Sequence, residues 1–495
     1  MKKYMKTKEE LQDLIEPHLF NELTRKNYNV KITPANRLMK SSRFDIGFKL
    51  FYLEMLGFDA SLAKKVYSEN IKACGLGRVF EYGNESKSSI EKFEYDFNLI
   101  LDSIRNNDFD SDVSILPLSV NGAIANGAHR HACCIYLNKN VCCINTELEN
   151  QVQDYKFFYN RNVQVETLDV SALKFVEYAE NVHVAFIWPS AIGYDDKLEK
   201  VFPNIVYRKN IKLNSKGAHN LISQIYSGEE WVGDLSDNYK GAQNKAIECF
   251  RNFNPVRIIF FQSDDFNEVL KIKEKVREIY KIGKHSIHIT DTKEEAVKVS
   301  RVVLNKNGIH FLNCASPGRI PSTFEKINRF KRMLQENNVN NSDVLLDSSI
   351  VLSLYGLREA RDIDFLCRDN DCFKTIKKEI DFHDGELKYY EVGKAELIYN
   401  QNYYFYFDGL KFVSFQALYE MKKKRGEEKD INDCKMMQAL VNNNNSLLRV
   451  HKIRQNWFYL KVKLRVNLVN FLKIIKLYSL IRFTYRKIMR GKSGK

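Results

Sequence analysis

The chain has 495 residues, of which 44% are hydrophobic and 12% aromatic, so it can build globular cores and is not a disordered tether. Its formal net charge is +15, but residues 446–495 hold 14 Lys and Arg and no Asp or Glu, which leaves +1 for the first 445 residues. A near-neutral protein with a basic C-terminal segment is indicated, and the overall charge does not mark the whole chain as nucleic-acid-binding.

Targeting signals are not evident in the sequence. The first ten residues are charged, no apolar signal-peptide segment follows them, and no run reaches the roughly 18 uncharged apolar residues of a membrane span. The sequence therefore predicts a cytoplasmic protein.

Hydrophobic periodicity divides the chain into regions. Apolar residues at helical spacing predict a helical N-terminal region over residues 1–75, with helices at 8–15, 44–56 and 61–74. A separate domain of alternating helical and extended patterns is predicted for residues 76–150. Residues 151–320 predict a central α/β domain, because strands at 256–261, 286–289 and 309–312 are separated by helices at 267–280 and 293–304. Such spacing is typical of βαβ units and a parallel sheet, and the expected fold class is multidomain α/β and α+β.

A third folded domain is predicted for residues 321–445, starting with a helix at 322–336. It contains Asp347-Ser348-Ser349, an apolar helical run, Tyr-Gly-Leu-Arg at 355–358, and Asp362-Ile-Asp364. Alternation along a strand places Asp362 and Asp364 on one face, as a shared metal ion requires. Paired carboxylates beside a turn of small residues are the parts that hold Mg²⁺ and a triphosphate.

This order of motifs resembles the nucleotidyltransferase fold of the abortive-infection toxin type. The resemblance implies that Asp362 and Asp364 bind the metal and that Ser348 and Ser349 form the phosphate turn. A third metal carboxylate is expected on a following strand, where Glu396 is the best placed and Asp408 second. The resemblance also covers a downstream Lys…Arg…Lys-Asp segment, and it assigns three of its residues to the nucleotide site: Lys424, Lys429 and Asp430.

One residue departs from that family pattern. Asp347 stands where relatives usually have glycine, and it adds a negative charge beside the expected triphosphate. The departure leaves open whether the domain is catalytically active.

Residues 85–145 carry a second set of motifs, with a helix at 93–109, a strand at 115–120, a hairpin, and Gly127-Ala-His129-Arg130. This order resembles the ParB/sulfiredoxin superfamily, in which a Gly-x-x-Arg or Gly-x-His-Arg turn opens a phosphate-binding helix. A helix N-terminus and an arginine fork converge on one anion in such a turn. The resemblance implies that Gly127, His129 and Arg130 bind the phosphates of ATP or CTP. A kinase of this fold also needs a base, for which position suggests Glu85 or Glu81.

The C-terminal segment, residues 446–495, mixes aromatic and aliphatic residues with Lys and Arg and is predicted to be helical. Its composition favours binding to an anionic membrane surface over nucleic-acid binding, while docking on the rest of the protein stays an alternative.

Together these features suggest a bifunctional nucleotide-dependent transferase, cytoplasmic or peripheral on the inner membrane. A kinase module and a nucleotidyltransferase module would suit the activation of a small phosphorylated or hydroxyl-bearing acceptor for a bacterial surface polysaccharide, with Mg²⁺ and ATP or CTP. A toxin or phage-defence nucleotidyltransferase acting on tRNA or protein is one alternative, and a non-catalytic nucleotide-sensing scaffold is another.

Overall fold

Side-chain caps mark where several helices begin in the computed structural model, which describes residues 3–80, 87–234, 237–374 and 379–474. Asp59, Ser89 and Thr292 each accept a hydrogen bond from the backbone N–H three residues further on. These bonds satisfy N–H groups that the first helical turn leaves without a partner, so the three helices start at defined residues.

The N-terminal unit is a four-stranded sheet with helices packed against it. The sheet order is β1-β2-β4-β3, with β3 parallel to β4 and the other pairs antiparallel. Its elements are β1 (Lys3–Thr7), α1 (Pro17–Glu22), β2 (Asn27–Pro34), α2 (Asp45–Met55), α3 (Ala60–Cys74), α4 (Ile90–Asn107), β3 (Leu116–Leu118), α5 (Ala128–Tyr136) and β4 (Asn140–Asn145).

The prediction of a purely helical region up to residue 75 is wrong. Helices α2 and α3 match it, but β1 and β2 are strands of the same sheet as β3 and β4, and residues 8–15 contain only one short helical turn. Tyr28 and Val30 of β2 are buried while Asn27 and Asn29 are exposed, an alternation that belongs to a half-buried strand. The segment before residue 76 and the one after it therefore share one sheet.

The central unit has a sheet of order β6-β7-β5-β8 surrounded by helices. Its elements are α6 (Tyr155–Tyr159), α7 (Val165–Tyr178), β5 (Val182–Ile187), α8 (Asp195–Glu199), β6 (Ile205–Ile211), α9 (Ser215–Ile225), α10 (Lys240–Cys249), β7 (Val256–Gln262), α11 (Phe266–Tyr280), β8 (Ile287–Ile289), α12 (Lys293–Val303) and α13 (Lys306–Cys314).

Two expectations for the central unit are wrong. All three strand pairs are antiparallel, because β5 and β6, which run in the same direction, are separated in the sheet by β7, and β7 and β8, which also share a direction, are separated by β5. Residues 309–312, expected to be a strand, lie in α13, where the Asn305 side chain caps the helix and Phe311 and Leu312 face the core. A run of four mostly apolar residues is compatible with a strand or a helix, and here the Asn305 cap stabilises the helix.

The C-terminal unit holds a five-stranded mixed sheet of order β11-β10-β9-β13-β12. Its elements are α14 (Ser322–Glu336), β9 (Val344–Asp347), α15 (Ser349–Leu354), β10 (Ile363–Cys367), β11 (Ile380–Phe382), α16 (Lys394–Tyr399), β12 (Tyr404–Phe407), β13 (Leu410–Val413), α17 (Phe415–Arg425), α18 (Glu428–Val441) and α19 (Asn445–Ile474). The mixed α/β class predicted from the sequence is confirmed.

Helix α19 confirms the predicted helical character of residues 446–474, while residues 475–495 lie outside the described residues. Its first half packs on α18, where Leu448 and Gln455 are buried. In the part of the chain that the structure describes, no helix is both long enough and apolar enough to cross a bilayer.

Candidate functional sites

The N-terminal unit contains a cavity of about 1180 Å³ at the start of α5. Gly127 lies at the N-terminus of this helix with φ of +84°, a conformation that favours glycine. A Cβ at this position would lie 2.5 Å from Leu116 Cδ2 and 3.2 Å from Arg130 Nη2. The backbone therefore requires glycine here, and the N-terminal N–H groups of α5 border the cavity.

Two predicted phosphate-binding side chains line the same cavity. Arg130 donates to Ser114 Oγ and lies 3.7 Å from Glu16 Oε1, and burial lowers the pKa of its guanidinium. His129 Nε2 lies 2.8 Å from the Tyr67 hydroxyl. Burial, and after it the charge of Lys49, holds the pKa of His129 well below its ordinary value, so this imidazole is neutral.

A buried ion cluster, not singled out in the sequence, lies in the wall of this cavity. Arg43 donates to both carboxylate oxygens of Asp45, at 2.9 and 3.0 Å, and Lys49 Nζ donates to Asp45 at 3.0 Å and to Asn70 at 3.1 Å. Burial opposes ionisation of Asp45, but the two cations hold its pKa well below the usual range. Two buried cations share one carboxylate, so this cluster has one unit of positive charge in excess, while Glu16, Glu22 and Glu149 add negative charge elsewhere in the lining. In the sequence, the signal for this cluster was the presence of charged residues beside and within the largely apolar stretch 44–56.

The proposed bases of this unit, Glu81 and Glu85, lie outside the described residues.

In the C-terminal unit, the end of β9 and the start of β10 bring the predicted motifs together. Asp347 and Asp364 are directly opposed on the antiparallel strands β9 and β10, so both extend from the same face of the sheet. The Asp347 carboxylate is fully buried, accepting from the Tyr390 hydroxyl at 2.7 Å and lying 2.8 Å from His383 Nδ1. Asp347 therefore has hydrogen-bond partners within the C-terminal unit, and the sequence did not reveal them.

The three titratable groups of this cluster have different electrostatic environments. Burial alone would raise the pKa of Asp347, but hydrogen bonding to His383 and Tyr390 lowers it. Burial would lower the pKa of His383, but Asp347 raises it, so the two form a buried ion pair. Burial, together with the charges of Asp362 and Asp347 and against the opposing effect of His383, raises the pKa of Asp364 to about 6.

The serine turn connects this cluster to α15. Ser348 has φ of +60° and ψ of −124°, a region that non-glycine residues rarely adopt. The Ser349 hydroxyl donates to Asp362 Oδ1 at 3.1 Å. The strained turn therefore places its two hydroxyl-bearing residues beside the Asp362-x-Asp364 pair.

The expected third carboxylate is not where the sequence suggested. Glu396 lies on the short helix α16, not on a strand, and Asp408 lies in the β12–β13 turn, paired with Lys331 at 2.7 Å. Over residues 3–80, 87–234, 237–374 and 379–474, no group of three His, Cys, Asp or Glu side chains is positioned to hold a metal ion. Glu396 is thus not brought together with Asp362 and Asp364. The residue opposite Asp364 on β11 is Asp381, which is exposed and which sequence reasoning missed.

The downstream Lys…Arg…Lys-Asp segment, residues 422–433, contains both exposed and buried side chains. Lys424 is exposed and lines a cavity of about 440 Å³ together with Tyr390, and Lys429 pairs with Glu427 at 3.0 Å. Asp430 is fully buried and accepts from Lys422 at 3.1 Å and from Arg425 at 2.7 and 2.8 Å. Its carboxylate already has two cationic partners, so its role in the structure is to join α17 to α18.

The chain matches none of the protein-family models, curated proteins or solved structures with which it was compared. The two family resemblances therefore rest on motifs and on their order along the chain.

Proposed function

We propose that the protein is a nucleotide-dependent transferase in which the C-terminal unit is of the nucleotidyltransferase type. The observation that carries the proposal is the arrangement of Asp362 and Asp364 beside the strained Ser348–Ser349 turn at the end of two adjacent strands. Backbone strain persists where the surrounding structure enforces it, and such strain is common at ligand sites. Two half-buried carboxylates and a serine turn suit a metal-bound triphosphate better than a purely structural contact.

The residues fit a Mg²⁺ ion. Asp364 is desolvated and lies beside Asp362 and Asp347, so its ionised form is unfavourable until a cation neutralises it. Mg²⁺ is usually held by one or two carboxylates together with phosphate oxygens, and Asp362 and Asp364 would supply that number. When bound, the ion would neutralise charge on the transferring phosphate group. The serine turn would orient the phosphates, and Lys424, which lines a cavity together with Tyr390, would add positive charge.

The N-terminal unit is proposed to be a phosphotransferase module of the ParB/sulfiredoxin type. Its support is the convergence of three features on one cavity: the start of α5, Arg130, and the positively charged Arg43–Asp45–Lys49 cluster. All three favour an anion, and the cavity volume is sufficient for a nucleotide. The two modules together suggest the sequential phosphorylation and nucleotide activation of one small acceptor, in keeping with a surface-polysaccharide precursor.

Substitution of Asp364 tests the C-terminal site. We expect Asp364→Asn to abolish Mg²⁺-dependent binding of ATP or CTP at this site, because the amide cannot replace the anionic ligand. Isothermal titration of the full chain in Mg²⁺ and in EDTA measures this, in an Arg130→Ala background that weakens the other site. Asp196→Asn, an exposed aspartate on α8, is the matched control. Unchanged Mg²⁺-dependent binding in Asp364→Asn would refute the assignment, while binding without turnover in the wild type would favour the sensor alternative.

The N-terminal site is tested by Arg130→Ala. A hydrogen bond to a charged group contributes roughly 1.5–3 kcal/mol, so nucleotide affinity should fall by about one to two orders of magnitude. Titration in EDTA isolates this site from the Mg²⁺-dependent one. Arg105→Ala, which removes an exposed arginine of α4 outside the cavity, should leave the affinity unchanged. If a folded Arg130→Ala protein binds every nucleotide as tightly as the wild type, residues 127–130 form only a structural turn.

A further inference from the structure

A second large cavity, of about 1040 Å³, lies between the central and C-terminal units. Helices α9 and α10 form one side, and the loop before α14 and the β12–β13 turn form the other. Aromatic rings cover much of its surface, among them Phe250, Phe324 and Phe407. Ile247 and Phe253, with 62% and 41% of their surfaces exposed, also line it. Large apolar side chains left exposed around one cavity are typical of a ligand-binding surface.

The polar part of the lining is cationic. Lys216, Lys298 and Arg319 line the cavity, and among the described residues none of them lies within salt-bridge distance of an acid. Lys298 Nζ donates to the Ser227 hydroxyl at 2.6 Å. The other two charged lining residues are already paired, Arg251 with Glu248 and Asp408 with Lys331. Asp408 also acts electrostatically on Lys298, so the lining has a net positive charge that rests mainly on Lys216 and Arg319.

Two of these cations lie at one end, where the base of α19 adds a third. Lys452 of α19 donates to the Gly356 carbonyl at 2.6 Å. Burial, and then the charges of Arg319 and Lys216, lowers the pKa of Lys452 to about 8, so the three groups are near one another. Cations gathered in this way repel each other, and an anion bound among them would relieve that repulsion.

We propose that this cavity binds an amphiphile with one anionic head group, a phosphate or a carboxylate. The head group lies between Lys216 and Arg319, and an aliphatic or aromatic body lies along Phe250, Phe253 and Ile247. Charge alone would attract any anion, but the apolar lining selects ligands with a body to bury. This inference is independent of the two proposed nucleotide sites, since the cavity shares no lining residue with the N-terminal cavity and none with the Asp362–Asp364 cluster.

Decyl phosphate, used below its micellar concentration, tests the proposal by titration into the full chain. We expect it to bind at least tenfold more tightly than either inorganic phosphate or decanol. The double variant Lys216→Gln/Arg319→Gln should lose at least tenfold in affinity for decyl phosphate while its weak binding of decanol is unchanged. Lys271→Gln, an exposed lysine of α11 outside the cavity, is the matched control and should stay within twofold of the wild type.

Phe253→Ser provides a second test, because this residue is 41% exposed and does not belong to the buried core. It should weaken binding of decyl phosphate and leave that of inorganic phosphate unchanged. The proposal is overturned if decyl phosphate does not bind, if it binds no more tightly than inorganic phosphate, or if the double variant and the control bind it equally. Thermal unfolding midpoints verify that each variant is folded.

Discussion

Asp347 and Asp364 have the same side chain on adjacent strands, yet their surroundings give them opposite properties. Asp347 is ionised in the core because His383 and Tyr390 stabilise its charge, whereas Asp364 lacks comparable partners and resists ionisation. A carboxylate whose charge the folded protein destabilises is a common feature of functional sites. A bound cation would therefore stabilise the ionised form of Asp364.

Asp364→Asn should therefore stabilise the protein even as it removes nucleotide binding. The pKa of Asp364 is raised from 3.8 to about 6 in the folded state, so ionisation destabilises the fold once the pH exceeds about 4, and the effect is complete above about 6. The variant should gain about 1–3 kcal/mol in the free energy of unfolding at pH 8, and this gain should vanish near pH 4. Urea unfolding at both pH values in EDTA measures it. A loss of stability at pH 8 would contradict the electrostatic account.

At the scale of elements, the sequence predicted individual helices and strands better than their arrangement. The helix at 322–336 matches α14, and the helix, strand and turn leading to Arg130 occur in the predicted order. Local signals were sufficient there, since apolar periodicity is clear in α4 and α14 and Gly127 marks the turn that begins α5. Strand direction in the central sheet depends on long-range packing, which no local pattern encodes. β2 alternates polar and apolar residues from Asn27 to Thr33, so its period of two was a local signal that the prediction of a helical region overlooked.

The candidate sites show the same limit. Asp362, Asp364 and Ser349 were found because they are close in sequence and form one motif. His383, Tyr390 and Asp381 reach the same site from 17 or more residues away, and nothing in the local sequence marks them. The pairing of β10 with β9 and β11 brings Asp381 and the adjacent His383 to the site, and the segment after β11 brings Tyr390.

The α17–α18 connection supplies a prediction at the element scale. Asp430 lies among Lys422 and Arg425 with no exposed surface, so Asp430→Asn would leave two cations partly uncompensated. Breaking a buried ion pair destabilises a protein by roughly 3–5 kcal/mol, and we expect a loss of that order in urea unfolding. Glu428→Gln, an exposed change in the same helix, should have little effect. If the Asp430→Asn protein is as stable as the wild type but binds nucleotide less tightly, the Asp430 carboxylate contributes to the nucleotide site and not to the packing of α17 on α18.

At the scale of the whole molecule, buried polar contacts join the three units. Lys174 of the central unit donates to Glu54 of the N-terminal unit at 2.8 Å and to Glu177 at 2.7 Å. Arg301 completes this network by donating to Glu177 at 2.9 Å and by lying over the Tyr406 ring of the C-terminal unit. Lys174 and Glu177 are largely buried at the centre of this network, which therefore links the three units through contacts that a change in either residue would weaken.

Among the described elements, helix α19 has the largest exposed apolar surface. Its first half is docked, with Gln455 donating to Asp433 and to the Lys429 carbonyl and with Arg361 over the Tyr459 ring at 3.8 Å. Its second half extends away and presents exposed apolar residues among its basic ones: Leu460, Val462, Leu464, Val466, Leu468, Phe471 and Ile474. An apolar surface with no acidic residue is suited to an anionic bilayer, whereas two copies of it would repel each other.

Truncation after residue 459 should therefore release the protein from anionic liposomes while leaving the docked half, the fold and nucleotide binding intact. Each basic residue near such a surface contributes about 1 kcal/mol, and apolar insertion adds to this. Liposome flotation at increasing salt separates the two contributions, because salt screens the charge term and not the apolar one. Lys461→Gln/Lys463→Gln/Arg465→Gln should weaken the salt-sensitive part, and Leu464→Ser/Leu468→Ser the salt-insensitive part. Tight RNA binding with a steep salt dependence and no liposome binding would instead favour the nucleic-acid alternative, since the helix would then act through charge alone.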